Sequence, residues 1–175
     1  ISTACESGDC EALDRIALQL YKSIDPDNYP PVPSHIDDTP KVIEYLLSFI
    51  ADNVHVDPDE DPLFEDKSGL IKKFLLLIQK MCYLVPNILE KEQFRLFVHV
   101  MQECLTIEDD DFCNMVIETI GCVVDDTKGS AKEMKPLYAL IMDRMDSSDL
   151  VSNYTKLKAI KAFVKQLSKT GELTM

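Results

Sequence analysis

The sequence has no apolar run long enough to span a membrane and little positive charge with which to hold a nucleic acid. Its most strongly apolar stretch, Phe74 to Ile78, is bracketed by lysines, and no run approaches the ~18 residues that a membrane-spanning helix needs. Arginine occurs only at positions 15, 95 and 144, and the net charge is -13. Nucleic-acid binding depends on Lys and Arg side chains that contact phosphates, so a general nucleic-acid binder is not expected. The lack of a long apolar run likewise argues against a membrane-spanning protein.

The chain also lacks the features of a secreted protein. It begins with Ile and has no charged segment followed by an apolar core, which is typical of an internal piece of a longer protein or of a processed chain. Four of its six cysteines (Cys82, Cys104, Cys113 and Cys122) fall in apolar helical patterns, where a thiol packs as a small hydrophobe. With 175 residues, 46% of them hydrophobic, the chain can build a core without disulfides. We therefore expect one intracellular domain, cytoplasmic or nuclear, with reduced cysteines.

No segment alternates apolar and polar residues over the length of a strand, whereas apolar residues recur at helical spacing along most of the chain. We predict an all-α fold of about seven helices in antiparallel pairs. The helices are expected to begin at about residues 11, 40, 68, 90, 109, 130 or 136, and 149 or 152, and the last to end near 169. Asp9 is a predicted N-cap, and Asp109 to Asp111 suit the positive end of a helix dipole.

Two of these helices have informative apolar faces. The helix expected from Ser68 has a face wide enough to indicate neighbours on two sides. The last helix places four apolar residues on one seam, which we expect to face the core. These residues are Leu157, Ile160, Val164 and Leu167.

Proline divides the chain into two parts. Seven of the nine prolines precede Leu63, so residues 1–66 are expected to form helices joined by stiff connectors. Residues 67–175 carry long, regularly spaced helical patterns. We interpret 1–66 as a cap on a regular array of helix pairs, both within a single domain of residues 1–175.

Similar helices recur about every 40 residues between 67 and 169. The recurring segments are Leu70 to Leu75, Phe112 to Ile117 and Leu157 to Ala162. In this spacing the chain resembles the HEAT/armadillo class of α-α helical repeats, although the proline, aspartate and arginine typical of a HEAT unit do not recur. The resemblance implies a superhelical array whose stacked pairs present an extended binding surface. A closed helical bundle is the alternative.

Three clusters have the composition of a metal site but not its spacing. The acidic run that starts at Asp57 places Pro62 and Ser68 where a calcium loop needs glycine and a bidentate glutamate, so we interpret it as a solvated loop. Cys5 and Cys10 lack a second nearby Cys or His pair for zinc. The acids of residues 108–111 are explained by the helix start. We predict no catalytic residue, cofactor or metal.

The most distinctive surface of the sequence is a set of lysines in the last helix. No acidic residue occurs from Leu150 to Gly171, which concentrates positive charge at one end of an acidic chain. The lysines either solvate an exposed face, or contact an acidic peptide or a phosphate group, or meet the acidic Asp57 to Asp66 region of another copy in a head-to-tail association. They are Lys156, Lys158, Lys161, Lys165 and Lys169.

From these patterns we predict a protein–protein interaction or scaffold module of a larger intracellular protein. It would bind a peptide or helix in a groove between helices, or associate with itself. One alternative is a nucleic-acid-processing adaptor that uses the lysine-rich helix. The other is a metal-dependent enzyme, which is disfavoured because the acids lie in loops and at helix starts rather than on inward faces.

Overall fold

The computed structural model of the chain describes residues 2–7, 9–23, 39–84, 89–126 and 131–147, together with 157, 160, 161 and 163–165. Every regular element among these residues is a helix, so the all-α prediction is confirmed. The helices are α1 (Ser2–Ser7), α2 (Cys10–Ser23), α3 (Thr39–Asn53), α4 (Phe64–Leu84), α5 (Lys91–Cys104), α6 (Asp110–Asp126) and α7 (Ala131–Ser147). The singly described residues from 157 to 165 are helical as well.

Three helix boundaries differ from those predicted. The short helix α1 was not expected. Helix α4 begins at Phe64 rather than Ser68, since the Asp61 carboxylate and carbonyl accept the Leu63 and Phe64 N–H groups and start the helix early. Helix α7 begins at Ala131 and holds Pro136 inside it, so the later start at residue 136 is wrong. Met134 precedes the proline and is 2% exposed, so the helix packs against the core on both sides of Pro136.

The predicted N-cap of α2 is present, and the acidic run predicted at the start of α6 supplies a second cap. The Asp9 carboxylate accepts the Ala12 N–H at 2.9 Å, and the Asp109 carboxylate accepts the Phe112 N–H at 2.9 Å. Each bond satisfies a backbone donor that has no partner within its helix. The acidic residues before these helices are therefore explained by local structure.

The helices pack in two rows of alternate members. Helices α2, α4 and α6 contact one another in that order, and α3, α5 and α7 do the same. Across the rows, α3 packs on α4 and α5 on α6. Helices α2 and α4 run parallel, since Asp14 and Tyr21 of α2 contact Lys73 and Lys80 of α4 in the same order along the chain. Asp14 on α2 pairs with Lys73 on α4, and His55, just after α3, pairs with Glu103 near the end of α5 at 2.9 Å.

One continuous core lies between the two rows. It extends from Leu13 on α2 to Phe163 near the C-terminus, so residues on both sides of position 66 belong to it. Whether residues 1–66 act as a cap stays a prediction. The buried face of α4 is apolar, as the helical spacing of its apolar residues predicts. Its buried side chains include Leu70, Ile71, Phe74, Leu75, Leu77, Ile78, Met81 and Cys82.

Polar contacts connect neighbouring helices at two further places. The Gln79 amide donates to the Thr119 hydroxyl at 2.8 Å, which joins α4 to α6, and that hydroxyl donates to the Met115 carbonyl at 2.8 Å. Arg144 on α7 donates to the carbonyls of Leu105 and Ile107 at 2.9 and 3.1 Å. This guanidinium therefore holds the turn between α5 and α6 against α7.

Candidate functional site

Two of the five lysines predicted to contact a partner lie within the described residues. Lys161 and Lys165 are helical and exposed. Lys156, Lys158 and Lys169 lie outside the described residues. The structure therefore places at least part of the predicted basic set on the surface.

The orientation of this last helical segment differs from the prediction. Leu157, Ile160 and Val164 were expected to face the core, but they are 67%, 40% and 50% exposed. Phe163 is buried instead, with its ring 5.1 Å from that of Tyr138 in an edge-to-face contact. The Tyr138 ring provides a partner for the Phe163 ring, and an aromatic pair of this geometry stabilises by ~0.5–1.5 kcal/mol beyond the burial of its area, which favours turning this face inward. Leu167 lies outside the described residues.

The three exposed aliphatic side chains form a surface that we call the C-terminal stripe, defined as Leu157, Ile160 and Val164. Their spacing of three and four residues places them on one side of a helix. Lys161 and Lys165 each follow a stripe residue directly, so the lysines lie beside the stripe on the same exposed surface. The result is an amphipathic surface with aliphatic and cationic groups next to each other.

A second apolar surface lies between the parallel helices α2 and α4. Ala17 and Leu77 are buried and form its floor, whereas Leu18, Tyr21 and Leu76 are 53%, 43% and 42% exposed along its sides. The cavity volume is about 280 Å³. That is nearly twice the roughly 150 Å³ of a cavity that accepts benzene. We call this surface the α2–α4 groove.

Paired charges border the groove. The Asp14 carboxylate and the Lys73 ammonium, both about half exposed, form an ion pair across it. Farther along, the Lys80 ammonium lies 3.6 Å from the centre of the Tyr21 ring, a cation–π contact. These contacts hold α2 and α4 at a set separation, while the apolar sides between them stay open.

An acidic surface lies at the N-terminal ends of the same two helices. Residues 9–15 and 57–67 contain nine acidic and two basic residues. Asp9, Asp61 and Asp66 all lie near Cys10, since their charges help to raise the pKa of its thiol, although burial contributes most to that rise. The two segments are therefore adjacent, and we call them together the acidic end.

The acidic loop has internal hydrogen bonds to two of its carboxylates. The Asp57 carboxylate accepts the Asp59 N–H at 2.9 Å. Asp61 accepts the Lys67 ammonium at 2.6 Å and the Leu63 N–H at 2.8 Å, and these bonds lower its pKa. Within the described ranges, no three His, Cys, Asp or Glu side chains are grouped so that they could hold a metal ion.

Cys104 and Cys113 are buried in the core. Burial raises the pKa of the Cys104 thiol to about 12, with a smaller contribution from the Glu103 charge, and burial also raises the pKa of Cys113. Since the thiolate is the nucleophile and the metal ligand, such thiols are inert at neutral pH. The Cys5 side chain lies outside the described residues, so the arrangement of the Cys5 and Cys10 pair is not defined.

Sequence reasoning missed the groove residues. Leu18 and Tyr21 lie beside the buried Leu13 and Ala17 of α2, and Leu76 is exposed between two buried leucines of α4. The wide apolar face of α4 was the available signal, because it indicated more apolar surface than one neighbour covers.

Comparison of the chain with protein-family models, curated proteins and solved structures found no match. Among the described residues, no helix has the length and apolar character needed to cross a membrane. The site must therefore be interpreted from its own geometry.

Proposed function

We propose that this chain is a protein–protein interaction module that binds an apolar face of a partner helix in the α2–α4 groove. The observation that carries the proposal is the open groove itself, with large apolar side chains exposed on both of its sides. Leu18 and Tyr21 line one side and Leu76 the other, over a buried floor. An amphipathic helix laid between two helices buries such side chains at i, i+3 and i+4 spacing.

The packing of the helices supports a scaffold role. Rows of alternate helices, with consecutive helices in opposite rows, are typical of stacked helix pairs such as those of HEAT and armadillo proteins. A superhelical array of this kind would keep the groove rigid, since the core residues behind it are buried. We include the repeat-like arrangement in the proposal.

The thiols support an intracellular location, which is part of the proposal. Cys10, Cys104, Cys113 and Cys122 are thiols rather than disulfides. Thiols of this kind persist in a reducing environment, which supports an intracellular location. The proposal is therefore an intracellular adaptor rather than a secreted or catalytic protein.

A displayed library of helical peptides, selected against the full chain, tests the groove. We expect enrichment of peptides whose apolar residues recur at i, i+3 and i+4, because these match an inter-helix groove. Leu18→Lys and Leu76→Glu should each abolish their binding. Both variants should fold, because each new charge lies one helical turn from a charge of opposite sign. The lysine at position 18 follows Asp14 by four residues, and the glutamate at position 76 lies four residues from both Lys72 and Lys80.

Tyr45→Lys is the matched control, because Tyr45 is 39% exposed but lies on α3, in the other row. It should leave peptide binding unchanged. Circular dichroism and thermal unfolding of all three variants verify the fold. Selected peptides that bind the groove variants as tightly as the parent chain would refute the proposed site.

A further inference from the structure

Two exposed apolar surfaces of this chain lie beside segments of opposite charge. The α2–α4 groove is a concave surface at the start of the helix stack, and the C-terminal stripe is a convex helical surface at its end. Both are exposed in the same molecule, so neither covers the other. We propose that the occupant of the groove is the C-terminal stripe of a second copy of this chain; this inference rests on the proposed function of the groove.

The stripe has the spacing that an inter-helix groove receives. Leu157, Ile160 and Val164 stand on one side of a helix, as do the anchors of helix-in-groove complexes. Phe163 holds this segment against Tyr138 on α7 through a different face. The stripe is therefore anchored to its own molecule while its aliphatic groups point away from it.

The charges beside the two surfaces favour a contact between the groove of one copy and the stripe of another, with the lysines toward the acidic end. The acidic end adjoins the groove and has nine acidic residues against two basic ones, whereas residues 150–171 have five lysines and no acid. Lys161 and Lys165 lie beside the stripe on the exposed surface. When the stripe enters the groove, these ammonium groups can approach the acidic end. A stripe-to-stripe or groove-to-groove contact would instead bring like charges together.

A contact between two different surfaces is heterologous, so it leaves one groove and one stripe unused on each pair of molecules. Such contacts generate closed rings if the rotation between copies closes, and open filaments if it does not. The proposal therefore predicts assembly beyond the dimer as protein concentration rises.

Sedimentation velocity of the full chain over a range of concentrations measures this assembly. At about 0.01 M salt the Debye length is about 30 Å, and at about 0.15 M it is about 8 Å, so association should weaken across this range. Leu18→Lys removes an apolar side chain of the groove, and the new ammonium group repels the lysines beside the stripe. The double variant Leu157→Glu with Val164→Glu breaks the stripe, and a Glu at 157 lies one turn before Lys161, which supports the helix.

Each of these variants alone should raise the dissociation constant at least about tenfold, which is ~1.4 kcal/mol. Mixed together, they should form a one-to-one dimer and nothing larger, because the first retains an intact stripe and the second an intact groove. Tyr45→Lys should assemble as the parent chain does. If Leu18→Lys loses its fold by circular dichroism, Leu76→Glu replaces it in the same mixing experiment.

Three outcomes would overturn the inference: a chain that stays monomeric at every concentration and both salts, assembly that the stripe variant does not weaken, or broken variants that fail to associate on mixing. The groove is tested separately by the selected peptides. A monomeric chain whose groove still binds those peptides removes self-association and leaves the proposed function intact. Loss of peptide binding in the control variant as well as in the groove variants would instead remove the proposed function.

Discussion

The two sides of helix α4 meet their row neighbours in different ways. Toward α6 the contact is closed, with Val116, Ile117 and Ile120 of α6 completely buried and Gln79 bonded to Thr119. Toward α2 it is open, because only Leu13 and Ala17 of α2 are fully buried and the groove remains between the helices. The same helix thus contributes a closed, buried contact through one side and an exposed apolar surface through the other. Four predictions test this comparison.

The largest effect is expected from removing apolar volume on the closed side of α4. Leu75 is 0% exposed and its neighbour Leu76 is 42% exposed. Leu75→Ala should lower the free energy of unfolding by about 2–5 kcal/mol, because it leaves a cavity in the core. Leu76→Ala should lower it by less than about 1 kcal/mol. Urea unfolding followed by circular dichroism measures both, and equal losses would contradict the distinction between the two sides.

The next largest effect on the free energy of unfolding is expected from the hydrogen bond between Gln79 and Thr119, on the closed side of α4. Thr119→Val removes the hydroxyl that accepts the hydrogen bond of the Gln79 amide, and the amide loses this partner. We expect the free energy of unfolding to fall by about 1–3 kcal/mol. Adding Gln79→Met should recover part of this loss, since both polar partners are then absent. A double-mutant cycle on the unfolding free energies gives the coupling. A coupling near zero would show that the bond adds nothing to the contact.

The N-caps of α2 and α6 allow the open and closed neighbours of α4 to be compared again. Asp109→Ala should lower the free energy of unfolding by about 0.5–2 kcal/mol, because α6 loses the bond from its carboxylate to the Phe112 N–H. Asp9→Ala removes the equivalent bond of α2. Because α2 buries fewer residues, we expect this change to increase amide hydrogen exchange mainly within α2. Faster exchange throughout the core would show that α2 unfolds together with the rest.

The smallest effect concerns the acidic end on the open side. The Lys67 ammonium and the Leu63 N–H lower the pKa of Asp61, with Lys67 as the larger cause. A carboxyl whose pKa is lower in the folded state stabilises the fold above its ordinary pKa, and that contribution is lost as the pH falls through the lowered value. Lys67→Met should raise the pKa of Asp61 toward its ordinary value, as measured by NMR titration. Lys73→Met is the control, since Lys73 pairs with Asp14 instead.

The helices and most of their inward faces could be predicted because each depends on local periodicity. The buried residues of α4 and α5 follow the predicted stripes, and Asp9 and Asp109 cap helices as their positions indicate. The last helical segment shows where this reasoning fails. Its aliphatic seam is regular, yet Phe163 is the buried residue, because the choice between two apolar faces depends on which neighbour is present to receive one.

The sequence by itself determined that this protein is built of helices, that it is strongly acidic, and that its positive charge is concentrated near the C-terminus. These properties depend on composition and on spacing along the chain. Only the tertiary structure decided that α2 and α4 run side by side with a groove between them, and that Leu157, Ile160 and Val164 face outward. A groove arises from two segments distant in sequence, and the exposure of a side chain is set by the elements that pack around it.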